Sequence, residues 1–276
     1  MEPHCRSEKC AIVANVGRAR RKAERRQPLW DEFILYVAVG FAAQMIDGAI
    51  GMAYGVTATS VLLSFGVPPA SASACVHAAE TFTTGASGFS HWHFGNVDRR
   101  LVVRLAVPGM VGGAIGAYVL VNIPGESIRP FISAYLLVLG VVIVTKALMQ
   151  RPKPAASGTR IVAPLGFVGG LVDAIGGGGW GPIVTSTLLG NGVAPRIAIG
   201  SVNIAEFFVT ATISAMFLAT IGTTLWPIVA ALVVGGIVAA PFAALATKHM
   251  PDRALMIIVG CVIIFLSLRT ILRAFG

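Results

Sequence analysis

The chain has 276 residues, 55% of them hydrophobic and only 12% charged, with a formal net charge of +9 and a mean hydropathy of +0.80. A soluble domain carries about 25% charged residues, so this composition excludes an ordinary globular protein and points to an all-α polytopic membrane protein. The positive charge begins at the N-terminus, where Arg18, Arg20, Arg21, Lys22, Arg25 and Arg26 crowd the arm 1–30 just before Trp30. Positive residues beside a first span favour the cytoplasmic side, so the arm is predicted inside, either as a solvated tail or as a clamp on anionic lipid headgroups. No basic domain stands behind it, which argues against nucleic acid. A cleaved signal peptide does not fit, because the polar leader is long and the apolar run continues into Asp47 without a small-residue cleavage site.

From residue 31 onward the sequence is written as apolar segments. The stretch Phe33–Val97 carries two formally charged residues, Asp47 and Glu80, and Phe207–Thr247 carries none. In the first half the segments are 33–47, a short piece 54–66, then 70–93, 101–121 and 130–149. The polar joint QRPKPAASGTR (150–160) follows, and the second half reads 161–174, 181–191, 196–220, 225–247 and 254–272. The first two segments of each set are short for a span of about 20 residues, so each pair is one broken helix or a re-entrant hairpin. The count is up to ten helical segments, with about eight crossings.

The two sets are copies. Residues 45–84 placed over 171–210 match at 16 of 40 positions without a gap, including Asp47/Asp173, Gly51/Gly177, Gly55/Gly181, Ser60/Ser186, Gly66/Gly192, Pro69/Pro195 and Glu80/Glu206. This makes 31–149 one membrane repeat and 161–276 a second, the usual plan of a secondary transporter. Four crossings per half give parallel copies, which the positive-inside count favours through Arg99, Arg100, Arg104, Arg151, Lys153 and Arg160. A hairpin gives an odd number and inverts them, which is equally a transporter plan. Both orientations stay open at this point.

The carboxylates in the apolar interior are Asp47, Glu80, Asp173 and Glu206, each matched in the other copy. Four ionised, unpaired and central groups would cost about 10–14 kcal/mol on the insertion scale, so they are expected to be neutral, paired or near a wet cavity. They either couple protons and shape the site, or cap the broken helix ends. His77 and Glu80 stand three apart on one helical face, where a His–Glu pair could handle a proton; Asn203 and Glu206 are their counterparts. DAIGGGGWGP (173–182) breaks its helix with four consecutive glycines, each costing about 1 kcal/mol against Ala in a helix. Such a break leaves backbone N–H groups and a positive helix end facing a cavity, an anion site that needs no Arg or Lys. Close helix packing through small residues is the rival explanation. Tyr54 and Trp180 occupy equivalent places and could wall the cavity, and Thr57, Thr59, Ser60, Thr185 and Ser186 offer hydroxyls. The substrate-binding candidates are therefore Gly51, Tyr54, Gly55, Thr59, Ser60, His77, Gly177, Gly178, Gly179, Trp180, Gly181, Thr185, Ser186 and Asn203. HWHFGNVDRR (91–100) is read as interfacial anchoring through Trp92 rather than a metal site. Cys5, Cys10, Cys75 and Cys261 form no disulfide framework, and His4, Cys5 and Cys10 match no zinc spacing. No metal or cofactor is implied, and without a nucleophile or metal motif an enzyme is not expected.

IDGAIGMAYG…VP, DAIGGGGWGP…GVAP and RIAIGSVNIAEFF resemble the duplicated glycine-rich signatures of the sulfite exporter TauE/SafE family, and the likeness covers nearly everything after residue 30. It implies a multi-pass carrier in the bacterial plasma (inner) membrane for small sulfur-containing anions such as sulfite or organosulfonates, driven by an ion gradient. Its partners would be a small anionic solute and membrane lipid, with a homodimer left open. It points to Gly51, Tyr54, Gly55 and Ser60 in the first signature, and to Gly176 to Gly179, Trp180, Gly181 and Pro182 in the second. The first signature lacks the triple glycine that many members carry. A carrier of cations or metal ions, built on the interior carboxylates and His77, is the alternative.

Overall fold

The computed structural model describes residues 29–50, 53–149, 161–222, 225–246 and 252–275. The arm, the joint 150–160 and Gly51 lie outside these residues. The described chain is all-helical, in two runs of five: α1 (Leu29–Ile50), α2 (Tyr54–Ser64), α3 (Pro69–His93), α4 (Arg99–Asn122) and α5 (Gly125–Leu148), then α6 (Val162–Gly176), α7, α8 (Pro195–Ile221), α9 (Trp226–Ala246) and α10 (Asp252–Phe275). Helix α7 opens with a π-helical turn, Gly181–Thr185, and continues as Ser186–Gly190. Pro69 and Pro195 begin α3 and α8, where a missing N–H costs nothing because it would have no partner. Asp98 caps α4 by accepting from the amides of Arg100 and Leu101 (2.8 and 3.2 Å).

Among the described residues, four stretches are long and apolar enough to cross a membrane: Arg99–Asn122, Gly125–Leu148, Arg196–Ile221 and Met256–Arg273. The surface differs from that of a soluble protein, and a few ionisable side chains join the apolar core. Phe131, Leu272 and Phe265 are 74%, 71% and 67% exposed, whereas His77, Glu80 and Asp173 are buried. Apolar side chains facing outward and ionisable ones facing inward are what lipid as the outer solvent demands. Helix α3 has the length of a span but not the hydropathy, because Ser, Thr, His77 and Glu80 replace aliphatic residues along it.

Backbones meet closely along two seams. In α4 and α6, a Cβ at Gly116 would fall 2.5 Å from the Leu171 carbonyl and one at Gly166 2.5 Å from that of Leu105, while Gly112 lies on Phe167 and Gly170 on Gly109. The same contact recurs between α1 and α9, with Gly40 on Leu232 and Gly235 on Val37. Small residues let helix backbones touch in a membrane, where no hydrophobic effect drives helices together. The numbering of these contacts makes α4 and α6 parallel. Helices α3 and α8 run the other way: Gly85 lies on Phe207, Gly88 on Ile204, and Gly200 on Asn96 and His91. Helices α5 and α10 are antiparallel too, with Gly140 on Ile264 and Gly260 on Val144. Residues 69–84 and 195–210, matched by the 126-residue offset, thus sit on helices of opposite direction.

The seam gives a sharp test from two neighbouring residues. Gly235→Ala would drive a Cβ into the Val37 carbonyl, whereas Gly236→Ala would meet Thr83 at an ordinary 3.5 Å. The first should destabilise by about 1–3 kcal/mol, read as a lower thermal midpoint of the purified protein in detergent, and the second should leave the midpoint near wild type. Equal midpoints for both variants would refute the backbone contact.

Candidate functional site

Each helix break is closed by the aspartate seven residues before the next helix. Asp47 at the end of α1 accepts from the amides of Ala53 (2.8 Å) and Tyr54 (3.2 Å) through Oδ1. Asp173 in α6 accepts from the Trp180 amide (2.9 Å) through Oδ1, and its carbonyl takes the amides of Gly177 (2.8 Å) and Gly178 (3.1 Å). Both aspartates cap: they hold N–H groups that the sequence leaves for a solute. Gly177, Gly178 and Gly179 have φ of 69°, 144° and 150°. Any side chain is strained at these values, so the run of glycine is a backbone requirement.

The two breaks meet. A Cβ on Gly55 would lie 2.8 Å from Gly178 Cα, the Thr59 hydroxyl donates to the Gly177 carbonyl, and the Tyr135 hydroxyl donates to the Gly178 carbonyl (3.0 Å). Beside this junction lies a cavity of about 20 Å³, whose walls include Asp47 from α1, Tyr54 and Gly55 from α2, Glu80 from α3, Gly179 from the loop and Glu206 from α8. Val56, Thr83, Thr84, Gly181 and Pro182 complete the lining. That space holds about one water, so any larger solute requires the walls to part. No Lys or Arg belongs to the lining; Lys146 on α5 donates to the Pro182 carbonyl at 3.4 Å without reaching the cavity. Among the described residues Glu80 Oε2 is buried with no hydrogen-bond partner.

The remaining candidates fall elsewhere. Ser60 donates to the Val56 carbonyl one turn back (2.7 Å) and stays within α2. Trp180, expected as a wall, is fully buried and packs over Gly109 and Gly169, where the seam of α4 and α6 leaves room for an indole. Thr185 is buried and Ser186 half-buried, and neither lines the cavity. Asn203 donates to the Ser87 hydroxyl (3.1 Å). His77 does not pair with Glu80: its Nε2 faces Asp173 Oδ2 at 3.1 Å and its Nδ1 lies 2.7 Å from the Ser73 carbonyl. The sequence spacing ranks neighbours on one helix, while the partner belongs to another.

Four residues of the site were not among the candidates: Val56, Thr83, Thr84 and Tyr135. Thr84 carried a signal, since it is identical to Thr210 in the other copy; both hydroxyls donate one turn back, to the carbonyls of Glu80 (2.6 Å) and Glu206 (2.9 Å). Tyr135 carried none, lying outside the matched block. A second, open crevice of about 290 Å³ separates α3 from α8 and α9, lined by Ala74, Ala78, Phe82, Phe217, Leu218 and Trp226 among others. The opposite end of the same helix pair is closed by Gly88 on Ile204 and Gly200 on Asn96.

Gly178→Ala should be the most damaging minimal change in the loop, since the Cβ would strike the Gly55–Val56 peptide at a φ that disfavours it. A loss of at least tenfold in the protein's membrane activity with normal insertion is expected, and unchanged activity would show that the two breaks need not touch.

The family model of the sulfite exporter TauE/SafE matches residues 36–270. The chain is 42% identical over 251 residues to the probable membrane transporter protein YtnM of Bacillus subtilis (strain 168), which covers 88% of this chain and 83% of that protein. No solved structure matches it. A duplicated glycine signature on paired, aspartate-capped helix breaks, a model match over almost every described residue and a relative of this identity agree: the chain belongs to the sulfite exporter TauE/SafE family of membrane transporters.

Proposed function

We propose that the protein is a secondary transporter of a small sulfur oxyanion, sulfite or an organosulfonate, coupled to protons, and that the solute is held where the two helix breaks meet. The observation that carries this reading is the junction itself: two helix starts, Tyr54–Gly55 and Gly179–Gly181, converge on one enclosed space lined by both halves. Positive helix ends can bind an anion without a fixed cation. The halves 31–149 and 161–276 are read as inverted copies, each with a re-entrant hairpin (α1–α2 and α6–α7), because the matched pairs α3/α8 and α5/α10 run antiparallel. This reading replaces eight crossings by three full spans and one hairpin per half in addition to a shared plan of opposed halves. The basic arm 1–30 is placed on the cytoplasmic face of a bacterial plasma membrane, against anionic lipid.

Protons enter because Asp47, Glu80 and Glu206 line the space. An anion beside three ionised carboxylates is repelled, so loading requires protons to accompany it. The same lining favours a second reading, a carrier of cations, and the two separate cleanly. Purified protein in liposomes should take up [35S]sulfite, or exchange it for sulfate, thiosulfate or taurine, faster with the outside more acid than the inside than without a pH difference. Thermal stabilisation by these anions and not by Na⁺, K⁺ or divalent cations is the matching binding result. Stabilisation by cations alone would establish the second reading. Glu80→Gln should shift the pH dependence of uptake, and an unaltered profile would leave Glu80 a structural acceptor.

A further inference from the structure

Hydrogen-bond bookkeeping around His77 fixes a proton. The Ser73 hydroxyl donates to the Ala174 carbonyl (2.7 Å), so towards His77 Nδ1 (3.2 Å) it can only accept. The Ser73 carbonyl, 2.7 Å from the same nitrogen, also only accepts. Nδ1 therefore carries a hydrogen. A neutral imidazole would then present a bare Nε2 lone pair to Asp173 Oδ2, and two acceptors 3.1 Å apart repel. The contact requires one further proton, held as imidazolium with carboxylate or as imidazole with carboxylic acid. Both residues are sealed from solvent, at 0% and 1% exposure. Burial disfavours the net charge of −1 that the pair would carry without that proton.

We propose that His77 and Asp173 form the proton-binding site of the transport cycle, placed so that its occupancy controls the glycine loop of the second half. This rests on the transport reading and names the group that couples it. Asp173 has two oxygens with two duties: Oδ1 caps the Trp180 amide at the start of α7, and Oδ2 meets His77 on α3. Loss of the shared proton sets carboxylate against a bare nitrogen and separates α3 from α6 at this point, shifting the Asp173 side chain that carries the cap of the loop abutting Gly55. The proton is taken from water on one side and returned to water on the other, with no bond other than N–H or O–H made or broken. The loaded pair is neutral and the unloaded pair is anionic, so an anion at the loop is favoured when the proton is present, and the two travel in the same direction.

The titratable groups that face the pair are Glu80 on its own helix, Glu206 on α8 and Tyr135 on α5, each close enough to interact with the charge of Asp173. Asp47 on α1 and Tyr54 on α2 lie one step further, against Glu80. The cations of α4, Arg99, Arg100 and Arg104, are exposed at its start, and α9 carries none. The other copy cannot do the same. There Ser73 and His77 are matched by Ile199 and Asn203, the Asn203 amide is engaged with Ser87, and Asp47 serves only as a cap for two amides. One loop is proton-gated and its twin is fixed.

The test uses the full chain in liposomes with [35S]sulfite as probe. The ratio of pH-gradient-driven uptake to sulfite exchange should fall at least tenfold in His77→Gln and in Asp173→Asn, and a ratio equal to wild type in either folded variant overturns the proposal. A second readout needs no solute. In protein labelled with [15N]histidine, one of five histidines, identified by its loss in His77→Gln or its displacement in Asp173→Asn, should keep hydrogen on Nδ1 throughout. Its Nε2 signal should change when the protein is taken from acid to alkaline buffer. A His77 spectrum that stays constant overturns the pair. A wild-type protein that moves no sulfite, sulfate, thiosulfate or taurine refutes the transport reading, and the nitrogen spectrum then decides the proton site on its own.

Discussion

A backbone that leaves its helix inside a membrane must find partners for its N–H and C=O groups within the protein, and the rest of this structure follows from how that need is met. Asp47 and Asp173 each reach seven residues forward to the first amides of the next helix. With the caps in place the chain can stop and restart at depth, and two such interruptions can be brought tip to tip. Without them, Ala53, Tyr54 and Trp180 would each bury a bare donor, at a cost of about 1–3 kcal/mol apiece. The glycines supply the conformations that let the backbone turn, but the carboxylates make the turn tolerable.

The helices themselves were readable because hydropathy and proline and glycine positions report directly on chain length in lipid and on helix ends. Pro69, Pro195 and the break at Gly176–Gly179 fall where those residues belong. The pairing of the two aspartates with their glycines was also legible, through the offset that superimposes one copy on the other. What the string of residues could not carry was direction and partner. Nothing in the spacing says that α3 and α8 oppose each other, since that depends on whether the chain crosses or turns back after Asp47. Trp180 and Tyr54 are equivalent in sequence, yet the indole enters a seam hollowed by Gly109 and Gly169, while Tyr54 lines the cavity and its hydroxyl donates to the Leu232 carbonyl of α9 (3.5 Å). His77 illustrates the same limit: its neighbour at i+3 is a carboxylate, but its hydrogen-bond partner comes from a helix 96 residues away.

Helix α3 concentrates the polar duties. It holds Glu80 and Thr84 towards the cavity, His77 towards Asp173, and Ser87 towards Asn203. Its counterpart α8 supplies Glu206 alone to the lining and is apolar enough to face lipid along much of its length. At matched positions of the two helices, most of the polar side chains of the site thus stand on α3. The interior carboxylates are shared equally, whereas the histidine is not.

The unequal packing at the two ends of the α3–α8 crossing has a geometric consequence. The open end is built from Ala74, Ala78, Ala211 and Ser214, and the offset maps these onto Gly200, Ile204, Gly85 and Gly88, the residues that seal the far end. The residues that leave one end of the crossing open and those that close its other end therefore hold equivalent places along the two helices, so small side chains alone decide neither opening nor closure.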